Sequence, residues 1–440
     1  MTALTLSELS APVLVADVDL DAPLPQLNGD GRYRGARLLV RLHGEPIGEV
    51  MLQLPPRRLA SPELAAVIWP QLGDQVGKHC AEDGIPPPAG LTAAGLTHPG
   101  QPACRARRIA AGDPPITVLI ATRDRTDSLL RCLGSLAKLD YPSFDVVVSD
   151  SAPATGTTAR TLASATGWPF PVHYVRAQRP GLAVAHNAAL PSVTGEIVAI
   201  TDDDVEVDRY WLRAIAAAFS EPEVACVTGL ILPAELETRA QLLVEQAGGY
   251  ARGFTRRSYY RAMPDPAVLF PFTAGRFGSG ANMAFRTSWL RSRGGFDPAT
   301  GAGTPARGGD DLTAFLRVII EGGTLVYEPA AILRHWHRRE YEGMRRQAFG
   351  YGVGLGAYLA ASVRARPLLL AAMLRRAVPA AAHLLGAHSA KNSGRSASFP
   401  RELVWRERAG VAAGPFAYAV SRWRFRDCVP SHGGSNGERV

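Results

Sequence analysis

Cysteine is scarce in this chain of 440 residues: five, scattered at positions 80, 104, 132, 226 and 428, with no C-x-x-C pair. That spacing argues against a disulfide framework or a zinc site and fits a reducing compartment. Lysine is scarcer still, at Lys78, Lys138 and Lys391 alone, so the net charge of +8 is carried almost wholly by arginine. No stretch reaches the about 18 uninterrupted apolar residues that a spanning helix needs. The nearest, residues 367–386, is interrupted by Arg375, Arg376 and Pro379. The opening "MTALTLSELSAPVL" lacks a basic segment followed by a long apolar one, so no signal peptide is expected. There is no internal repeat.

What is present is a globular composition, 46% hydrophobic and 20% charged. Arginine suits bidentate contact with phosphates, so the basicity admits a phosphate-bearing ligand, nucleic acid or an anionic membrane surface without choosing among them. Residues 34–54 alternate apolar and polar around "GEPIG" and predict a β-hairpin. Residues 61–80 predict a helix capped by Ser61 and limited or kinked at Pro70. A Pro- and Gly-rich linker follows over 84–102. Residues 1–102 thus read as a small α+β domain with its linker, 103–350 as the main domain, and 351–440 as a helical region with a flexible tail.

From Pro115 strands and helices alternate. Residues 116–122, 144–150, 172–177 and 196–201 predict strands; 125–140, 157–166 and 181–190 predict the helices between them. This implies a mostly parallel sheet flanked by helices, with ligands bound beyond the carboxyl ends of the strands. Polar residues stand at such ends: Arg123 and Asp124, then Asp150, then Asp202, Asp203 and Asp204.

The triplet in "IVAITDDDVEVDRYWL" has three readings. It can be a polar turn or the start of a helix over 204–219, where acids suit the dipole. A calcium loop would use Asp202, Asp204 and Glu206, but Val207 stands where glycine is needed and Arg213 where glutamate is. The third reading is a D-x-D clamp, hard oxygen ligands holding Mg2+ or Mn2+ against a nucleotide diphosphate. Further on, Asp310 and Asp311 open a helix, and His335 and His337 stand in "RHWH". "GVGLG" (352–356) follows no strand that opens a βαβ unit, which excludes a dinucleotide fingerprint.

Six segments stand in order: "PPITVLIATRDRTDSLLRCLGSL", "VVVSDSAP", "RPGLAVAHNAAL", "IVAITDDDVEVDRYWL", "GSGANMAFRTSWLRSRGGFD" and "GGDDLTAFLRVIIEGGTLVYEPAAILRHWH". Together they resemble the family 2 glycosyltransferases of the GT-A fold, over roughly residues 114–350. The resemblance implies that Thr122, Arg123 and Asp150 hold the nucleoside, and that Arg179 and Asn187 contact base or ribose. Arg123–Asp124 replaces a common Tyr–Asn pair, and His186 replaces a usual Arg. It further implies Asp202 on the ribose, Asp203 beside it, and a metal held by Asp204 and Asp202 with His335 or His337. Of the Asp310–Asp311 pair, the second would be the catalytic base. Gly278, Gly280 and Asn282 would face the donor sugar or the acceptor.

The implied activity is a metal-dependent, inverting hexosyl transfer from a nucleotide-diphosphate sugar to an acceptor hydroxyl on a cell-surface glycan, a glycolipid or a natural product. The cofactor is Mn2+ or Mg2+, and the implied setting is cytoplasmic. The Arg-rich segment 334–351 and the apolar stretch after it suggest peripheral contact with an anionic membrane, or a packed amphipathic helix. Rival readings are a non-catalytic sugar-nucleotide-binding relative, which should lack Asp204 or Asp311, and a nucleic-acid-binding protein, which the acids at the main site oppose. A nucleotidyltransferase would want a Gly-rich phosphate loop where "ATRDRTDS" stands.

Overall fold

The structure, a computed structural model, describes residues 3–28, 31–97, 102–165, 167–263, 267–386 and 398–428, with 389, 392 and 395. The N-terminal unit holds β1 (Val13–Asp19), β2 (Gly35–Leu42), β3 (Glu45–Gln53) and α1 (Ser61–Glu82). Then come α2 (Ala103–Ala110), β4 (Ile116–Thr122), α3 (Thr126–Leu136), β5 (Phe144–Ser151), α4 (Thr157–Ser164), β6 (Val172–Ala177), α5 (Leu182–Ala189), β7 (Ile197–Asp202), β8 (Val205–Val207) and α6 (Trp211–Ala218). β9 (Val224–Pro233), α7 (Arg239–Gln246), β10 (Arg257–Tyr259), β11 (Asn282–Arg286), α8 (Thr287–Ser292), α9 (Asp310–Ile320) and β12 (Thr324–His335) complete the sheet region. The helices α10 (Tyr341–Ala365), α11 (Leu369–Leu374), α12 (Ala377–Leu385) and α13 (Arg401–Arg424) follow.

Among the described residues nine strands form the main sheet, in the order β10-β12-β9-β11-β7-β4-β5-β6, with β8 on β12. The half made of β6, β5, β4 and β7 is parallel, as the alternation of strand and helix predicts. Beyond it the sheet becomes mixed: β11 runs antiparallel to both β7 and β9, while β12 is parallel to β9. All seven residues of β4 are buried, because helices cover both faces of the sheet. In α3, Leu129, Cys132, Leu133 and Leu136 are buried at helical spacing, so the amphipathic period sets which face it turns to the sheet.

The expected hairpin is β2–β3, turning at His43 and Gly44, both with positive φ. β1, absent from the sequence reading, adds to it in parallel. The cap of α1 is Ala60 and not Ser61; Ser61 Oγ instead donates to Leu24 O, and Glu63 accepts from the Ala60 amide. Pro70 does not stop the helix. Pro70 and Ala66, whose carbonyl the proline leaves unpaired, both face solvent, so water can take that bond. The helix expected over 204–219 begins only at Trp211, with β8 in place of its first turn.

α10 opens at Tyr341 and runs straight across position 350. Its "GVGLG" serves packing. A Cβ on Gly352 would lie 1.9 Å from Glu407 O in α13, and one on Gly410 would lie 2.3 Å from Phe349 O. The two helices therefore cross backbone to backbone. Parts of the expected linker (98–101) and loop (387–400), and all of the expected flexible tail, lie outside the described residues.

Candidate active site

Strand register assembles the site. Thr122 pairs with Asp150 across β4–β5, and Ala121 with Asp202 across β4–β7, so these carboxylates share one edge of the sheet. The antiparallel pairing of β12 with β8 sets His335 opposite Val205, next to Asp204. Asp202, Asp204 and His335 each offer a ligand atom, all within 4.8 Å of one another. His335 Nε2 lies 3.3 Å from Asp204 Oδ1.

Two groups hold Asp203 and Asp204: Arg125, which the sequence reading did not name, and Thr122, expected on the nucleoside. Arg125 reaches Asp203 Oδ1 at 2.7 Å and Asp204 Oδ2 at 2.6 Å. Thr122 Oγ1 donates to Asp203 Oδ2 at 2.6 Å, which commits Thr122 to the protein and not to open space. Burial, then the charge of Asp204, pushes the Asp202 carboxyl up to about 7. Burial likewise lifts Asp203, to about 6. Burial would raise Asp204 too, but His335 and Arg125 outweigh it and hold that carboxyl below its ordinary range. One carboxylate is thus strongly anionic and its neighbours resist sharing that charge, an environment that a divalent cation relieves.

His335 is itself held from behind. Its Nδ1 lies 3.0 Å from His337 Nδ1, and His337 Nε2 lies 2.7 Å from Glu245 Oε1. Glu245 Oε2 accepts from Arg37 in β2 at 2.6 Å, and Arg37 also holds Glu49. Burial opposes ionisation of Glu245, yet Arg37 and His337 keep it low, at about 2. Glu245 accepts from His337 Nε2, which leaves Nδ1 of His337 to accept from Nδ1 of His335. His335 Nε2 faces Asp204 as a donor, and that carboxylate raises the His335 pKa against the effect of burial; a bound cation would displace the proton and take the lone pair. His337 is therefore one step behind the ligand cluster and not in it. Tyr250 packs on both rings, at 5.2 and 5.6 Å between centroids, and its hydroxyl meets that of Tyr351 from α10.

Asp150 is fully buried. Its Oδ2 accepts from Tyr174 at 3.1 Å, and its Oδ1 has no partner. Burial raises its pKa. A buried acceptor without a protein partner at a strand end leaves room for one more hydrogen bond, from water or a ligand. Arg123 beside it is half exposed.

α9 begins after Gly309, whose φ is +88°, and brings Asp310 and Asp311 in its first turn. Asp311 Oδ2 accepts from the Gly280 amide at 2.9 Å and Oδ1 from the Leu312 amide at 2.8 Å. The loop with Gly278 and Gly280 is thus drawn onto Asp311. A Cβ on Gly280 would sit 3.2 Å from that of Asp311. Gly278, at φ +144°, is pressed against Thr228. Burial raises Asp311, and burial with the Asp311 charge pushes Asp310 up to about 8.

Three expected residues sit elsewhere. Asn282 is buried at 1% exposure; it accepts from Trp211 Nε1 at 2.9 Å and donates to Leu230 O and Ala331 O. Its amide ties strands together and does not face a sugar. Asn187 donates to Phe296 O and accepts from Phe296 N, both at 2.8 Å, so it latches the loop after α8. Arg179 is exposed and reaches Arg424 O at the end of α13 and Cys428 Sγ just after it, each at 3.2 Å.

Glycosyl transferase family 2 matches residues 117–293. A pre-mycofactocin glycosyltransferase of Mycobacterium tuberculosis is 29% identical over 263 residues, 60% of this chain and 50% of the relative. An O-antigen biosynthesis protein of Myxococcus xanthus is 26% identical over 182 residues, 40% of this chain and 14% of the relative. The chain thus spans about half the length of the first of these relatives. Among solved structures, a mannosyltransferase from Pyrobaculum calidifontis in complex with GDP-Man and Mn2+ superposes at TM-score 0.42, with 20% identity over 72% of this chain and 76% of that one. Glucosyl-3-phosphoglycerate synthase from Mycobacterium tuberculosis gives 0.40, with 17% identity over 61% of this chain and 85% of that one.

Proposed function

Residues 117–293 belong to glycosyl transferase family 2, and we propose that the chain moves a sugar from a nucleotide diphosphate to an acceptor hydroxyl. The observation that carries this is the convergence of Asp202, Asp204 and His335 on one point at the strand ends. Two carboxylate oxygens and one imidazole nitrogen suit Mn2+ or Mg2+, with positions left for phosphate oxygens. A cation held there would offset charge on the departing diphosphate.

The chain's own groups do the rest. The open oxygen of Asp150 accepts an N–H of the base. Asp202, partly exposed at its strand end, takes a ribose hydroxyl. Asp311, fixed by two amide donors and raised by burial, accepts the acceptor's proton as its oxygen attacks the anomeric carbon. A single displacement with the base opposite the leaving group inverts the configuration. Asp310, lifted to about 8, stays protonated near neutral pH and keeps a second negative charge away from that base.

A panel of nucleotide sugars with and without Mn2+, scored by donor hydrolysis and by thermal shift, tests the reading. One donor should stabilise the protein only with metal present; no response to any donor sinks it. Asp311→Asn should lower transfer by about 10²–10⁴-fold while leaving nucleotide–Mn2+ binding intact. Normal transfer by this variant would remove Asp311 as the base.

A lipid-linked acceptor is a second reading, favoured by one observation. Leu368, Leu374 and Val378 are 89%, 66% and 81% exposed, and Arg375 and Arg376 lie between them. No helix among the described residues is long and apolar enough to cross a membrane, so such contact would be peripheral. Sedimentation with anionic vesicles, lost in Leu368→Glu/Val378→Glu, would support it; no sedimentation at low salt would end it.

A further inference from the structure

A second cluster lies where the N-terminal unit meets α2. His43 stands in the β2–β3 turn, His79 and Asp83 at the end of α1, and Cys104 in the first turn of α2. Each offers one ligand atom, and the four atoms lie within 4.8 Å of one another. We propose that His43 Nδ1, His79 Nε2, Asp83 Oδ2 and Cys104 Sγ bind a zinc ion in a closed, four-ligand structural site.

The distances fit such a site nearly as they stand. Zinc holds nitrogen and oxygen at about 2.0–2.2 Å and sulfur at about 2.3 Å, so ligand atoms around a tetrahedral ion are about 3.3–3.6 Å apart. His79 Nε2 is 3.3 Å from Asp83 Oδ2 and 3.8 Å from Cys104 Sγ. Asp83 Oδ2 lies closer to His43 Nδ1, at 2.7 Å, and to Cys104 Sγ, at 2.9 Å, because it accepts hydrogen bonds there. Opening these two contacts by well under 1 Å makes room for the ion.

The surroundings support the ligands as a metal site requires. The Cys104 amide donates to Asp83 Oδ1 at 2.7 Å, which aims Oδ2 inward. The far nitrogen of His43, Nε2, faces the Asp21 carboxylate at 3.8 Å, and Asp21 Oδ2 also accepts from the His43 amide at 2.6 Å. Arg108 binds His43 O at 2.6 Å and fixes the turn. A carboxylate behind a ligating imidazole orients the ring and leaves its inner lone pair free for the metal. His43, Asp83 and Cys104 are 1%, 5% and 3% exposed. Asp83 is held by the Cys104 amide and thiol and by His43, with Arg107 at 3.9 Å from Oδ1, so a carboxylate stands ready among a thiol and two imidazoles.

Binding exchanges one proton. The Cys104 S–H bond breaks, its electron pair becomes the zinc ligand, and the proton leaves to solvent. His43 and His79 bind neutral, and Asp83 is already ionised. The thiolate and the absence of an open position separate this site from the oxygen-rich one at the strand ends. The ion would pin the hairpin, α1 and α2 together just before the chain enters β4. The ligands come from three elements with no short motif between them, which is why cysteine spacing argued against zinc.

The test uses the full chain, expressed with zinc and purified without chelators. Elemental analysis should find about one zinc per chain, unchanged in Asp204→Ala and lost in Cys104→Ser/His79→Ala. Because that double variant can unfold, the wild-type chain loaded with Co2+ provides the second measurement: a sulfur-to-cobalt charge-transfer band, absent in Cys104→Ser. No zinc after purification and dialysis against zinc, together with no such band, overturns the proposal.

Discussion

The two clusters of histidine and acid in this chain are built on opposite plans. At the strand ends, Asp202, Asp204 and His335 supply three donors from one side. Where the N-terminal unit meets α2, His43, His79, Asp83 and Cys104 supply four from around a point. The first leaves positions open and holds two hard carboxylates whose charges oppose each other. The second is closed and includes a thiol. An open, oxygen-rich set suits a cation that must share its shell with phosphate; a closed set with sulfur suits an ion that never leaves. The position in the fold agrees. One cluster crowns the carboxyl edge of a sheet, where ligands arrive, and the other sits beneath a hairpin turn against helix ends.

The comparison breaks first at Asp204. Asp204→Ala should remove several kcal/mol of charge stabilisation, on the order of 10²–10⁴-fold in transfer. Zinc content should not move. A variant that lost both would mean the clusters are not separate sites.

Glu245→Gln sharpens the contrast. Glu245 touches no ligand cluster directly, yet it orients His337, which orients His335. Mn2+ affinity measured by calorimetry should fall by about 10–100-fold, the usual effect of losing such support. Unchanged affinity would show that His335 needs no orientation from behind.

Cys104→Ser provides the reverse experiment. Its melting temperature should drop, because an ion joining three elements would be gone. Mn2+ affinity at the strand ends should stay within about twofold of wild type, as expected for sites that share no partner. A large change there would mean that the N-terminal staple shapes the active site.

The smallest effect comes from a histidine in neither cluster. His186 is buried beside Phe296 with both ring nitrogens unpartnered, and burial lowers its pKa from 6.5 to about 4. The unfolded chain therefore takes up the proton first. The stability tied to keeping His186 neutral is complete above about pH 6.5 and is lost as pH falls towards 4, about 3 kcal/mol in all. Denaturant melts at pH 7.5 and pH 5 should show wild type losing roughly 2 kcal/mol more than His186→Leu. Equal losses would remove His186 as an acid-sensitive point.

What sequence reasoning reached, and what it missed, divides by how local the information is. Asp150, Asp202 and Asp204 were legible because a strand of apolar residues ending in an acid marks an edge where side chains leave the sheet. Asp310 and Asp311 were legible as adjacent acids opening a helix. Arg125, Glu245 and Tyr250 were not, because their roles exist only through partners far along the chain. For Arg125 a signal existed: it lies three residues past a strand end that faces three acids. Asn187 and Asn282 misled because an amide looks the same in sequence whether it meets a ligand or satisfies backbone groups. The mixed half of the sheet escaped because β11 is short and its antiparallel pairing is set by neighbours on both sides.

The salt link from Arg37 to Glu245 bears on engineering. Arg37 belongs to the small N-terminal sheet, and Glu245 stands behind the histidines that face the strand ends. Anyone wishing to graft the strand-end site onto another scaffold, for instance as residues 103–350, would cut that link. The excised piece would carry a buried glutamate stripped of its counterion within two side chains of His335. The candidate site is therefore not a portable cassette: its boundary for transplantation runs around both sheets, and the family match at 117–293 leaves out His335 as well.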